Sequence, residues 1–118
     1  MFDKLKAAAG VAGMLKDLPR MQARLEQVKD ELGRLQCVGH SKCRHVRAVV
    51  NGRIELVSVE IDPSVLARGA EVGPVLQAAT VDAVNDAIHH ARREAGQRLA
   101  DAARELGIPV PAQLIQQL

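Results

Sequence analysis

Four side chains capable of binding a metal fall within one short stretch: Cys37, His40, Cys43 and His45, spaced C-x2-H-x2-C-x-H. Thiolate and imidazole are the ligands of tetrahedral zinc, so a small metal-binding regulator is one reading of the cluster. The spacing matches no zinc-finger pattern, and a strand sends successive side chains to opposite faces. The competing reading is two small core cysteines and two surface histidines, with no metal bound. A second constellation is His89-His90 followed by Arg92-Arg93. A catalytic histidine needs a nucleophile and an orienting carboxylate. Asp86 and Glu94 stand one helical turn to either side of His90, but no Ser or Cys is spaced to complete a set. Gly10 and Gly13 sit in an Ala-rich helical stretch and make no phosphate loop. The expectation is a protein that is not an enzyme and carries no cofactor.

The basic residues remain. Lys16, Arg20 and Arg24 recur every fourth position and form a cationic row on a helix. Arg92, Arg93 and Arg98 bias a second helix, and Lys42, Arg44 and Arg47 decorate the segment between. No acid occurs between Glu31 and Glu55, so this region is a local basic band in a chain whose net charge is only +2. Such residues neutralise phosphates without reading bases. The single aromatic, Phe2, leaves nothing to stack on unpaired bases. Duplex DNA is therefore the nucleic acid these cations would suit, against the plainer reading of solvated helix faces.

The elements that position these groups follow from pattern. Val11, Met14, Leu18, Met21, Leu25, Val28, Leu32 and Leu35 alternate three and four apart, a narrow seam on a long helix that packs on another helix. Pro19 lies inside it and predicts a kink or a fresh start. A short strand is expected near Gln36 to Gly39. The runs Val46 to Val50 and Ile54 to Ile61 flank Asn51-Gly52, which predicts a hairpin with a two-residue loop. That register puts Val46, Ala48 and Val50 with Val57 and Val59 on one face, and Val49, Ile54 and Leu56 on the other. Apolar residues on both faces call for cover on both sides, by the flanking helices and a second copy. Asp62 caps a short turn with Pro63 at its first position. A second long helix opens at Gly73-Pro74 and runs to about Leu106, with a stripe of Val81, Val84, Ile88, Ala91, Ala95, Leu99, Ala102 and Leu106.

At 118 residues the chain reads as one domain over 1–107 with a loosely ordered tail over 108–118. Its core must be aliphatic and thin, which a second copy would help to cover. Two cysteines without a secretory signal, and no run of about 20 apolar residues, predict a cytoplasmic protein with no membrane partner.

Several of these stretches, taken in order, resemble the YbaB/EbfC nucleoid-associated proteins. They are Met21-Gln22, Glu31-Leu32 with Leu35, Val38-Gly39, Val50-Asn51-Gly52, Val59-Glu60-Ile61-Asp62-Pro63-Ser64 with Leu66, and Ala83-Val84-Asn85-Asp86-Ala87. The resemblance spans about Leu18 to Arg98. It implies an α+β fold: a long helix, a three-stranded antiparallel sheet and a second long helix, paired as a tweezer-like homodimer. It also implies non-enzymatic binding of duplex DNA in the bacterial nucleoid, with little sequence specificity. The positions matching the DNA-contacting helices are Lys16, Arg20, Arg24, Arg92, Arg93 and Arg98, and the hairpin adds Lys42 and Arg44. Two departures stand out: Lys42-Cys43-Arg44 replaces a glycine-rich turn, and Pro19 sits at the base of the first arm. A dimeric scaffold gripping a protein partner, with no direct DNA role, is the alternative.

Overall fold

The computed structural model describes the backbone of residues 2–107 and the side chains of residues 16–107. Helix α1 spans Phe2–Arg34, followed by strands β1 (Cys37–His40), β2 (Val46–Val50) and β3 (Leu56–Ile61). A 3-10 segment over Pro63–Glu71 leads into helix α2, Val72–Glu105. The strands form one antiparallel sheet in the order β1-β2-β3. This is the element order that the sequence predicts. The molecule is long: its radius of gyration is 21.1 Å, against roughly 13 Å for a compact chain of this length.

Helix α1 runs without interruption through Pro19, so no fresh start occurs there. The proline withdraws one helical hydrogen bond, and the turns on either side carry the helix past it. The seam is only partly covered. Val28 and Leu32 are buried against Ala95 and Ala102 of α2, with Leu35 and Leu99 at the same contact, whereas Leu18 and Leu25 are exposed. Its first two positions, Val11 and Met14, lie outside the described side chains, as does the whole tail 108–118.

The sheet lies on α2 by one face. Cys37, Val46, Ala48 and Val50 meet a stripe of Ala79, Ala83, Ala87 and Ala91. This corrects the first half of the stripe expected from the sequence, since Val81 is 61% exposed and Val84 and Ile88 only flank the contact, whereas Ala91, Ala95, Leu99 and Ala102 lie in the contacts as expected. The reason is distance. A Cβ on Gly39 would collide with the backbone of Ala83 and Ala87, so the strand rides directly on the helix and only alanine fits between them. Helix α1 packs chiefly on α2 and does not provide the expected cover for the second face of the sheet.

The hairpin also differs from expectation. Residues 51–55 form a longer loop, and a bulge between Val49 and Val50 sets Val50 opposite Leu56, Ala48 opposite Val59 and Val46 opposite Ile61. Leu56 therefore shares a face with Val50, not with Val49. Asn51 Oδ1 accepts the N–H groups of Arg53 and Glu55, which closes the loop. Gly52 is required for close approach rather than for a positive φ. Its N–H donates to Leu32 O at 2.8 Å, and a Cβ there would come within 2.7 Å of that oxygen. That bond caps the last turn of α1, and the Arg53 guanidinium donates to Lys29 O about one turn earlier.

The left-handed position falls on Ile54, at φ 62°, where a β-branched side chain is strained. Ile54→Asn should raise the free energy of unfolding by about 1 kcal/mol, read from urea denaturation at a fixed protein concentration. An unchanged midpoint would show that the loop stores no strain. At the other end of β3, Asp62 Oδ1 accepts the Ser64 N–H with Pro63 next in line, as the sequence predicts. That bond holds the Asp62 carboxyl below its usual pKa.

Candidate nucleic-acid interface

The cationic row on α1 is divided. Lys16 and Arg20 are exposed, with no carboxylate at salt-bridge distance among the described residues. Arg24 is committed: its Nε donates to Glu105 at 2.9 Å, and its Nη1 lies 3.4 Å from Glu31. The bond to Glu105 raises its pKa further. Arg24 thus ties α1 to the end of α2, and it offers less free charge than its spacing implies. Its partner is far away in sequence, which is why spacing alone cannot reveal the pairing.

On α2, Arg92, Arg93 and Arg98 are exposed and again have no carboxylate within reach among the described residues. A helix turns about 100° per residue, so the three occupy different sides and do not form one row. Arg93 shares a shallow depression of about 270 Å³ with His90, Glu94 and Gln97. Arg98 is close enough to Cys37 to favour its thiolate, while burial, foremost, and Glu94 push that thiol's pKa up.

The β1–β2 turn carries Lys42 and Arg44, both exposed. Arg44 adopts φ 65°, so it takes the left-handed conformation that a glycine-rich turn would otherwise supply. Ser41 Oγ accepts the Val46 N–H and lies 3.4 Å from Cys43 Sγ, which fixes the turn. Between the turn and α2 is a cleft of about 710 Å³, lined on the turn side by His40, Ser41, Lys42 and Arg44. The helix side carries Asp82, Asn85, Asp86 and His90. The two carboxylates face the two cations, so this part of the surface is close to electrically balanced. Arg47 and Arg53 of the basic band are also engaged, with Glu60 at 3.1 Å and Asp30 at 4.0 Å.

The Cys/His cluster is dispersed. Cys37 is buried against α2, and Cys43 is exposed on the turn. His45 Nδ1 faces Asp62 at 3.6 Å, and His40 donates its backbone N–H to Asp86. No group of three or more potential ligands converges among the described residues. The Cys43 thiol has a lowered pKa, first from its hydrogen bond with Ser41 and then from the His45 backbone N–H. The fold does bring Ser41 to the cleft containing Asp86 and His90, which lie 3.3 Å apart. Ser41 is buried and its hydroxyl is held by Val46 and Cys43, so it is not presented as a nucleophile.

No helix among the described residues is long and apolar enough to cross a membrane. The crystal structure of an uncharacterized protein, HP0035 from Helicobacter pylori, has a similar fold: the TM-score is 0.58, with 24% identity over 77% of this chain and 89% of that one. The sequence matches the model of the YbaB/EbfC DNA-binding family over residues 8–106. With that match covering most of its length, this chain belongs to the YbaB/EbfC DNA-binding family.

Proposed function

We propose that this protein holds duplex DNA as a homodimer, without catalysis, mainly through phosphate contacts and with low sequence specificity. Its place would be the nucleoid, in the cytoplasm. The observation that carries this reading is the set of exposed cations with no carboxylate partner among the described residues: Lys16 and Arg20 on α1, and Arg92, Arg93 and Arg98 on α2. Family membership supplies DNA as the polyanion. Lys42 and Arg44 contribute less, because Asp82 and Asp86 face them across the cleft.

The dimer rests on β3. Leu56, Val57, Val59 and Ile61 are all exposed on this edge strand, as are Ile54 in the loop before it and Leu66 in the 3-10 segment after it. Leu56, Val59 and Ile61 share the face that β2 presents to α2. An apolar edge of this kind invites pairing, and a second copy of the same surface is the simplest self-complementary cover.

Arg92→Glu with Arg93→Glu tests the DNA reading. Each charge reversal removes an attraction and adds a repulsion, so retardation of duplex DNA should disappear at salt where the wild type binds, with the mass of the dimer unchanged. Retardation at wild-type strength would remove this pair from the interface.

A further inference from the structure

The apolar seam of α1 extends past the helix that covers it. The Arg24–Glu105 bond marks the level at which α2 ends against α1, with the two helices antiparallel. At that level Leu25 is 48% exposed, and beyond it the seam continues through half-buried Met21 to Leu18, which is 44% exposed. Lys16 and Arg20 are about half a helical turn around the axis from Leu18. DNA held by those cations would therefore leave the seam uncovered.

The chain itself carries a segment suited to that surface. Helix α2 ends at Glu105, and Gly107, with a φ of 74° and an N–H bond to Arg104 O, closes it in a left-handed turn. Residues 108–118 follow, reading IPVPAQLIQQL: six aliphatic residues, two prolines and no charged side chain. They leave α2 at the point where the uncovered seam begins. From Leu25 to Leu18 that seam is about 11 Å long. Eleven residues reach from about 16 Å as a helix to about 36 Å extended, so the length is sufficient in any conformation between these. With no charged side chain in the segment, no side-chain ion is desolvated on docking.

We propose that the segment 108–118 lies along the projecting half of α1 and covers Leu25, Met21 and Leu18, continuing the packing of α2. Docked there, it stiffens the arm that carries Lys16 and Arg20. The competing occupant is the arm of a second copy.

Hydrogen exchange of the full-length, DNA-free protein tests this, compared with full-length Leu114→Glu/Ile115→Glu. In the variant, amides of residues 16–25 should exchange roughly tenfold faster. Residues 28–34 and the strands should be unchanged, as should the mass in solution. Deletion of 108–118 should reproduce the effect. Equal exchange over 16–25 in wild type and both variants would overturn the proposal. So would protection that survives both changes but is lost on dilution, which would assign the cover to a second copy. The measurement contains no DNA, so its outcome is independent of the DNA-binding reading.

Discussion

Replacing Gly39 by alanine is expected to destabilise the subunit by about 3 kcal/mol or more, at or above the upper end for overpacking. That corresponds to a fall in Tm of roughly 10 °C or more. The reason is the lack of any soft neighbour. The added methyl would meet the backbone of Ala83 and Ala87, which cannot rotate away as a side chain would. Relief requires strand and helix to separate, and the contact they would lose is the main core: Cys37, Val46, Ala48 and Val50 on the alanine stripe. Gly73→Ala is the matched control. Gly73 is in α2, and a methyl added there would meet no atom within 4 Å, so that change should be neutral or stabilising by up to about 1 kcal/mol. Thermal unfolding of the two variants side by side decides the matter. A Gly39→Ala protein as stable as wild type would mean that β1 does not sit on the α2 backbone.

The second large effect is expected at the edge of the sheet. Val59→Asp with Ile61→Asp should weaken the proposed dimer at least about a hundredfold, roughly 3 kcal/mol. Each aspartate would have to be desolvated in an apolar contact without a partner. Both positions are exposed in the single subunit, so the subunit should still fold, with the circular dichroism of the wild type. Sedimentation over a range of concentrations would show the shift to monomer. DNA affinity should fall with it, because two linked sets of cations become two separate weak ones. A variant that still sediments as a dimer would place the interface elsewhere.

Element order, the Asp62-Pro63 stop and the family resemblance are legible in the sequence because each depends on residues close together in the chain. Several features that differ from expectation depend on contacts between elements far apart in the chain, whereas the unbroken helix at Pro19 and the bulge in the hairpin are local. Asn51-Gly52 carries a strong hairpin signal, yet its glycine serves contact with Leu32 and the left-handed position falls on Ile54. Periodicity along the first half of α2 favours Val81, Val84 and Ile88, whereas close approach by Gly39 selects Ala79, Ala83 and Ala87, which continue into the expected Ala91. The bulge beside Val50 moves Leu56 to the other face, since one extra residue reverses a period of two. Among the candidate site residues, Arg24 is equivalent to Lys16 and Arg20 in spacing, and only the fold brings Glu105 to it. Lys42 and Arg44 lie in a stretch free of acids, and the opposing Asp82 and Asp86 arrive from another element.

A dimer that grips duplex DNA through phosphates must lose affinity as salt rises. The most direct test is duplex binding across a salt series, with the mass in solution measured on the same sample. The predicted result is a dimer whose log affinity falls linearly with log salt, by about 0.9 for each phosphate neutralised. A dimer that leaves DNA unbound even at low salt, or binds it with no salt dependence, would contradict the DNA grip and favour a scaffold whose arms hold a protein.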